Sequence, residues 1–483
     1  MFTIVIFSLF GILVSVILIV LITSTAKAVK RKKLISRLDN ADIFLSDGLC
    51  DEAQKALTEV MQQLFTSFGD PIFPDLVFRC FYGYGRYSNL CGRGSKSSAN
   101  ESIANYEKCL DCFARLNDVE KTPELTGLKY ECEYRLGLLY LDKAEGMTST
   151  HRSEQLLRAE HFLLMAMGNV EELSKVILSD TVVAKPEIIS ARIKYALAKT
   201  YHLLYFYGSG AREMYLLKCI GNASSAIDDF FSRNDFPSEW EQMVKLRTEA
   251  CIDLCGYEGG HEHAGNCVNF QNEYIDYLKS EGRLSDAFAC YVRLGNFHMK
   301  TAKPGAATDH LLTEDNKYVR NMLGIFGGET TESSTGEAME LRRHIDAAHH
   351  AYISALELCK AAVLPKNAIG NAYREMAKSL IAMYRARTDE NYLIDAVEAM
   401  QQCLDYCNIP IEQSEALLIL GRLFMMLGAA KSDPKNKKEF FLNARRTYKQ
   451  AADEYIRDSD LAGRRYAEDM LREVAVLMLK AES

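Results

Sequence analysis

Apolar side chains recur three and four residues apart along almost the whole chain, with polar residues between them. In one such segment the apolar positions are Ala159, Leu163 and Ala166. This spacing is typical of an amphipathic helix, and the strict alternation of a half-buried strand is nearly absent. Proline, which interrupts helices, occurs only nine times. The pattern therefore predicts an all-α protein.

The first 22 residues depart from this pattern because they are apolar on every face. Only Thr3, Ser8, Gly11 and Ser15 interrupt the run. At ~1.5 Å per residue, a helix of this length reaches ~33 Å, enough to cross the ~30 Å hydrocarbon core of a bilayer. The run predicts a transmembrane anchor over residues 1–24.

A basic segment, residues 25–33, follows the predicted anchor, and no charged residue precedes the apolar run. Its membrane-flanking cations are Lys27, Lys30, Arg31, Lys32 and Lys33. Membrane proteins keep such cations on the cytoplasmic side. These flanks predict a single-pass membrane protein with the bulk of the chain in the cytoplasm.

A cleaved signal peptide is the alternative interpretation of this N-terminus, and Ala26-Lys27-Ala28 resembles a cleavage site. Signal peptides, however, carry basic residues before the apolar stretch, which is only ~7–15 residues long. An uncleaved anchor is therefore favoured. If the topology were reversed, the body would be an extracytoplasmic binding protein.

Two stretches share one pattern of small and large residues around a turn glycine. The first contains Ala41, Gly48, Ala53, Leu57 and Val60, and the second contains Ile275, Leu278, Gly282, Ala287, Tyr291 and Leu294. Both resemble the tetratricopeptide (TPR) pattern, in which small residues let two antiparallel helices pack closely and large residues fill the gaps between pairs. The resemblance implies a TPR-like α-solenoid of antiparallel helix pairs, with a groove that binds a peptide or a partner helix.

Looser copies of the pattern cover most of the remaining chain. First-helix matches are Leu136-Gly137-x-x-Tyr140, Leu197-Ala198-x-x-Tyr201 and Leu420-Gly421-x-x-Phe424. Second helices without a sharp first-helix match include those of Tyr106, Tyr352 and Met400. The copies recur at longer intervals than the 34 residues of a TPR unit. An irregular helical bundle is the alternative to a solenoid.

The repeats divide the body into two stretches of TPR-like array, residues 34–326 and 338–483. A flexible insertion at residues 327–337 separates them, since this segment is rich in Gly, Ser and Thr. Asp142–Ser153 and Ala429–Lys438 are predicted as two further insertions between paired helices. Such loops are either binding elements or tolerated surface insertions.

The net charge of the chain argues against one class of partner. The chain has a net charge of −8, and the body beyond the basic segment is more acidic still. Nucleic-acid binding needs cations that neutralise phosphates, so we expect no nucleic-acid partner. The 14 cysteines are scattered at helical spacing, which predicts small apolar core residues kept reduced in the cytoplasm.

One cluster of metal-binding residue types stands out. It contains Cys251, Cys255, His261, His263 and Cys267. Thiolates and imidazoles are the ligands that zinc prefers, although this spacing matches no standard zinc pattern. The alternative is a glycine-rich turn with core cysteines. A second histidine group, His344, His349 and His350, is expected on a solvent-exposed helix face.

No catalytic arrangement of nucleophile, base and acid can be defended from the sequence, so we expect a protein that is not an enzyme and needs no cofactor. The favoured function is a membrane-anchored TPR-like scaffold that binds a protein partner. A zinc-binding regulatory module is the alternative. Tyr84, Tyr87, Tyr134 and Tyr201 are candidate groove residues, with core packing as the other possibility.

Overall fold

A computed structural model describes residues 2–65, 71–91, 96–147, 151–176, 185–229, 237–257, 263–302, 335–457 and 459–482. Side chains of residues 2–13, 96, 176, 229, 335–338 and 482 lie outside the described set. Within these limits the chain is almost entirely helical and divides into two compact units, Met1–Leu254 and Cys255–Ser483.

Each unit is a succession of helices. Unit 1 contains α1 Phe2–Ser46, α2 Cys50–Leu64, α3 Pro74–Cys91, α4 Lys96–Arg115, α5 Pro123–Glu145, α6 Arg152–Met167, α7 Val170–Val176, α8 Pro186–Tyr207, α9 Arg212–Asp229 and α10 Pro237–Leu254. Unit 2 contains α11 Ala264–Ser280, α12 Leu284–Thr301, α13 Thr335–Leu358, α14 Lys366–Arg387, α15 Asn391–Tyr406, α16 Pro410–Ala430, α17 Pro434–Arg457 and α18 Leu461–Glu482. Adjacent helices pack as pairs, which confirms the all-α helix-pair architecture.

Helix α1 changes character along its length. Its packed part begins at Leu34 and continues through Leu38, Ala41 and Leu45, all at most 4% exposed. These positions recur at helical spacing, so they form one stripe against α2 and α3. The preceding residues, from Val14 to Val29, are exposed, as are Arg31, Lys32 and Lys33, whereas Lys30 is half-buried.

Two tight turns between helices follow the predicted glycines. Gly48 has φ +74° and Gly282 has φ +69°, a left-handed conformation that glycine adopts without strain. At each turn the next residue's N–H donates to a carbonyl five residues earlier, from Leu49 to Phe44 at 2.8 Å and from Arg283 to Leu278 at 2.9 Å. This bond is that of a Schellman motif, which ends one helix and returns the chain.

The small-against-large packing predicted by the TPR resemblance is present in both units. The backbone of Gly85 in α3 lies against the ring of Tyr106 in α4, and Gly421 in α16 lies against Tyr448 in α17. A Cβ at either glycine would sit less than 3 Å from the ring. Because these tyrosines are fully buried, the close approach of the helices depends on the missing side chain.

The pairing of α12 differs from the sequence-based assignment. Ala287 and Leu294 were expected on a second helix, and both are indeed buried. Gly295 of the same helix, however, lies against the ring of Tyr352 in α13, so α12 also acts as the first helix of the following pair. The segment Leu294-Gly295-x-x-His298 is the first-helix match missing for Tyr352.

The predicted insertions differ from the observed loops. Ala429–Lys438 is mostly helical, since α16 ends at Ala430 and α17 begins at Pro434. Between α5 and α6, helix α5 continues to Glu145 before the connection begins. Residues 327–334 of the predicted flexible insertion lie outside the described residues.

One disulfide departs from the expectation of reduced cysteines. Cys50, at the start of α2, is bonded to Cys91, at the end of α3. The other twelve cysteines carry thiols, most of them buried in helix interiors as predicted.

The expected solvent-exposed histidine face is present at His350 but not at His344 and His349, which are half-buried. The Nδ1 atom of His344 lies 2.9 Å from Nδ1 of His298 on α12, which is 6% exposed. Burial and the neighbouring His344 lower the pKa of His298 to about 4. The pairing of α12 with α13 therefore carries a neutral imidazole in its interior.

Acidification is expected to destabilise unit 2 through His298. Below pH ~6.5 the unfolded chain binds a proton at this residue, whereas the folded chain does so only near pH 4, so stability falls across this window by about 3 kcal/mol. Denaturant unfolding of wild type and His298→Gln between pH 7.5 and 4.5 measures the effect. The variant should lose part of the pH dependence, and identical slopes would show that His298 does not contribute.

One described helix, α16, is long and apolar enough to cross a membrane by length and composition. Some 67% of its most apolar window is buried within the protein. Leu418 and Leu423 are among its core residues, so α16 has the burial of a core helix. The predicted anchor at residues 1–24 lies partly outside the described side chains.

Candidate functional site

The first helices of successive pairs in unit 1 contact one another directly. Helix α1 packs on α3, α3 on α5, α5 on α8, and α8 on α10. Side chains along this row of first helices are therefore neighbours in space although they are far apart in sequence. We call the polar residues that link them the first-helix row, defined by Asp39, Asp42, Arg79, Tyr82, Arg86, Glu131, Arg135, Glu145, Tyr195, Lys199 and Gln242.

Ion pairs join α1 to α3. Arg79 donates to Asp39 at 2.9 Å, and Arg86 donates to Asp42 at 3.1 Å. The side chain of Asp42 is 37% exposed and that of Arg86 is 23% exposed. Burial raises the pKa of Asp42, against the opposing effect of Arg86 and Arg79. These charges are thus partly withdrawn from solvent but still reachable from it.

A buried carboxylate joins α3 to α5. The hydroxyl of Tyr82 donates to Glu131 Oε2 at 2.6 Å, and Arg135 donates to Glu131 Oε1 at 3.2 Å. Glu131 is only 4% exposed, whereas the side chain of Arg135 is 34% exposed. Burial lowers the pKa of Arg135, but Glu131 and the nearby tyrosines raise it by more, so the guanidinium remains charged. Glu131 therefore fixes the position of a partly exposed cation.

The row continues to α8 and α10. Lys199 of α8 forms an ion pair with Glu145 of α5 at 2.7 Å, and both side chains are about one-third exposed. Tyr195 of α8 donates to the side-chain oxygen of Gln242 on α10. Every neighbouring pair of first helices in unit 1 is consequently joined by a polar contact. The arrangement offers charged and hydrogen-bonding groups of both types to a partner, and no nucleophile with an adjacent base is among its members.

The four tyrosines considered as groove residues have different positions. Tyr134 and Tyr201 are 9% and 3% exposed and belong to the core. Tyr84 is half-buried, with its hydroxyl 3.1 Å from Thr58 Oγ1 of α2, and Tyr87 packs against the core of the first helices. Core packing was the alternative for all four, and it is the observed position of two.

The sequence did not single out the first-helix row. Asp42 and Glu131 are charged residues in amphipathic segments, which normally lie on a solvated face. The available signal was their position on helices that the TPR pattern marks as first helices. Pairing Tyr82 with Glu131 required knowledge of how α3 lies against α5.

The structure brings together part of the predicted metal cluster. Cys251 is buried in α10 of unit 1, and the sulfur atoms of Cys255 and Cys267, which both belong to unit 2, lie within 4.8 Å of each other. His263 precedes the first residue of α11. His261 lies outside the described residues. Two thiolates would supply two of the four ligands of a structural zinc site.

No protein-family model matches this chain. No curated protein matches it either.

Solved structures with some likeness to this chain are helical-repeat proteins. A Rap protein complexed with competence and sporulation factor is 12% identical over 93% of this chain and 99% of its own, with a TM-score of 0.27. The S. pombe nuclear import adaptor Nro1 is 11% identical over 71% of this chain and 98% of its own, with a TM-score of 0.31. Yeast Tom70 is 10% identical over 92% of this chain and 96% of its own, with a TM-score of 0.22. Because these TM-scores are low, the fold is assigned from the helix packing described above and not from these likenesses.

Proposed function

We propose that this protein is a membrane-anchored, TPR-like scaffold that binds a protein or peptide partner along the first-helix row and performs no catalysis. The observation that carries the proposal is the concentration of buried and half-buried charges on α1, α3 and α5. Asp42, Arg86, Glu131 and Arg135 lie where apolar side chains would pack two helices together at least as well.

Burying such charges costs free energy, which indicates that they serve to recognise a partner and not to stabilise the fold. Withdrawing a charge from water costs several kcal/mol, and replacing a buried ion pair by apolar residues is often neutral or stabilising. Arg135 and Arg86 keep 34% and 23% of their side chains exposed, so their donors can still reach a bound chain. Carboxylates and guanidinium groups held in fixed positions give specificity for a polar partner.

The surface of α1 supports the anchor. Val14 and the run from Val16 to Ile22 consist of large apolar side chains that are 46–60% exposed. The same helix continues through the basic segment to the stripe that packs from Leu34 onward. A contiguous apolar surface of this kind is unfavourable in water and is matched by the interior of a bilayer.

We propose that the body faces the cytoplasm, on the basis of the cations at residues 25–33. The disulfide between Cys50 and Cys91 favours the opposite side, since such bonds persist in oxidising compartments. A reporter fused after Ser483 distinguishes these topologies. Activity restricted to the cytoplasm supports the proposal, and activity restricted to the opposite side makes the chain an extracytoplasmic binding protein.

Removing the charges that join α1 to α3 should weaken partner binding. The double variant Asp42→Asn/Arg86→Gln replaces both charged groups by neutral amides that can still hydrogen-bond, and Arg79 keeps its ion pair with Asp39. Since charge-assisted contacts contribute ~1.5–3 kcal/mol each, we expect at least a tenfold loss of partner recovered from crosslinked membranes. Quantitative mass spectrometry of the recovered material measures the loss.

A matched control is available on the second helices. Lys218 of α9 pairs with Glu160 of α6 at 3.2 Å, so Lys218→Gln/Glu160→Gln removes the same two charges away from the first-helix row. This control should retain the partner. Equal recovery with both variants, or an equal loss with both, would contradict binding along the row.

Zinc binding is a second proposal, favoured by the proximity of the sulfur atoms of Cys255 and Cys267 within unit 2. Its test is the zinc content of purified protein. Stoichiometric metal that is lost in Cys255→Ser supports it, and folded metal-free protein ends it.

A further inference from the structure

A cavity of about 280 Å³ lies beside the part of α1 that follows the proposed anchor. It is lined by Lys27, Arg31, Ile72, Phe73, Pro74, Asp75, Glu120 and Thr122. All of these residues belong to unit 1, and they come from α1, the start of α3 and the connection before α5. We call this space the juxtamembrane cavity.

The cavity lies where the packed stripe of α1 changes from apolar to basic. Lys27 and Arg31 occupy the same helix face as Leu34 and Leu38, at intervals of three and four residues. Leu34 and Leu38 are buried against the neighbouring helices, and the two cations extend that contact surface toward the anchor. All four cations Lys27, Arg31, Lys32 and Lys33 are exposed, but among them Lys27 and Arg31 line the cavity.

Each cation is positioned by a specific contact. The ammonium group of Lys27 lies 5.6 Å from the centre of the Phe73 ring, which is itself only 5% exposed. Arg31 is ion-paired with Asp75, whose side chain is 14% exposed. Glu120 adds a carboxylate to the cavity wall. Its Oε2 atom accepts a hydrogen bond from the backbone N–H of Asn117 at 3.1 Å. Positive and negative groups thus line one space that is open to solvent.

The distance of the cavity from the anchor corresponds to the headgroup layer. The polar layer on each side of the hydrocarbon core is ~5–8 Å thick, and a helix rises ~1.5 Å per residue. Lys27 follows the end of the predicted span at residue 24 by ~4.5 Å, and Arg31 follows it by ~10 Å. Since helical side chains lean toward the N-terminus, both cationic groups reach back into this layer.

We propose that the juxtamembrane cavity binds the headgroup of a zwitterionic aminophospholipid of the phosphoethanolamine type. The phosphate lies against Lys27 and Arg31, and the primary ammonium group donates to Glu120. This inference rests on the proposed anchor, because the lipid belongs to the bilayer that α1 crosses.

The presence of both charge signs decides between lipid classes. A purely anionic headgroup would be attracted by the two cations but repelled by Asp75 and Glu120. A choline headgroup carries the same charges as an ethanolamine but has no N–H to donate to the carboxylate. Phosphoethanolamine supplies an acceptor for the cations and donors for Glu120, so it complements all of these groups at once.

The test uses the full-length protein in phosphatidylcholine nanodiscs that contain equal minor fractions of phosphatidylethanolamine and phosphatidylglycerol. Lipid retained after transfer to detergent is quantified by mass spectrometry. We expect about tenfold enrichment of phosphatidylethanolamine over both other lipids, since one additional charge-assisted contact contributes ~1.4 kcal/mol or more. Equal retention of the three lipids, or enrichment of phosphatidylglycerol, overturns the proposal.

Variants show whether the cavity is responsible. Lys27→Gln/Arg31→Gln should abolish the enrichment, and Glu120→Gln should reduce the preference for phosphatidylethanolamine over phosphatidylcholine. The matched control Lys32→Gln/Lys33→Gln removes two exposed cations from the same segment and should leave the enrichment unchanged. If the control variant lost the enrichment equally, the basic segment would attract lipids in general, and the cavity would not be the binding site.

Two further measurements distinguish lipid binding in the cavity from failure of the anchor and from binding of a soluble ligand. Flotation of every variant with liposomes reports insertion of α1, so a failed anchor gives no flotation, whereas a failed cavity gives flotation without lipid selectivity. Soluble phosphoethanolamine at millimolar concentration is added to the nanodiscs as a competitor. It should displace little of the retained lipid, and complete displacement would assign the cavity to a soluble phosphoamine instead of a lipid.

Discussion

Gly295→Ala is expected to destabilise the protein by about 2–3 kcal/mol, the upper part of the range for overpacking a core. A Cβ at this position would lie 2.5 Å from Cε1 of Tyr352. The ring is fully buried, and its hydroxyl donates to Asn296 at 2.7 Å, so it cannot move aside without losing contacts. Denaturant unfolding monitored by circular dichroism measures the change.

A second substitution shows whether the clash is the cause. Tyr352→Leu creates space opposite Gly295, so Gly295→Ala should cost less in that background, with an interaction energy of ~1 kcal/mol or more. Gly221→Ala on α9 is the matched control, because no atom lies within 4 Å of its added Cβ. Alanine there should be neutral or stabilising by up to ~1 kcal/mol. Strictly additive effects of Gly295→Ala and Tyr352→Leu would contradict the pairing of α12 with α13.

Deleting residues 2–24 is expected to move the protein from the membrane fraction to the soluble fraction almost completely. The deletion removes the exposed apolar surface of Val16–Ile22 and leaves the packed stripe, which begins at Leu34. Apolar residues at the centre of a span contribute ~0.3–0.6 kcal/mol each to insertion, so their sum favours the bilayer by several kcal/mol. Carbonate extraction followed by flotation measures the distribution.

The basic segment provides the control for the deletion. Lys32→Gln/Lys33→Gln reduces surface charge without shortening the apolar run, so this variant should remain in the carbonate-resistant fraction. If full-length protein were extracted by carbonate, or if the truncated chain stayed in the membrane, residues 1–24 would not be the anchor.

The repeated architecture could be predicted because it depends on local patterns. The turn glycines Gly48 and Gly282 and the small residues near Tyr106 and Tyr448 are all readable within a short window of sequence. The prediction for α12 was wrong because it also depended on local patterns alone. Ala287 and Leu294 satisfy the second-helix pattern, whereas Leu294-Gly295-x-x-His298 satisfies the first-helix pattern, and only the position of Tyr352 decides between them.

The candidate site could not be predicted to the same extent because it depends on contacts between helices that are distant in sequence. Tyr82 and Glu131 are separated by 49 residues, and Lys199 meets Glu145 across two successive pairs. A charged residue in an amphipathic helix has the same sequence signature whether it is solvated or buried against a neighbour. His344 illustrates this, since its pattern indicated an exposed face and the structure places it against His298.

Binding through the helical body is tested by identifying the proteins that crosslink to the full-length chain in intact membranes. A chain that retains residues 1–33 but lacks residues 34–483 serves for comparison. We expect a reproducible, stoichiometric partner with the full-length chain and none with the anchor alone. Recovery of the same proteins with both chains, or of nothing above the membrane background with either, would contradict a scaffold that binds its partner through the helical body.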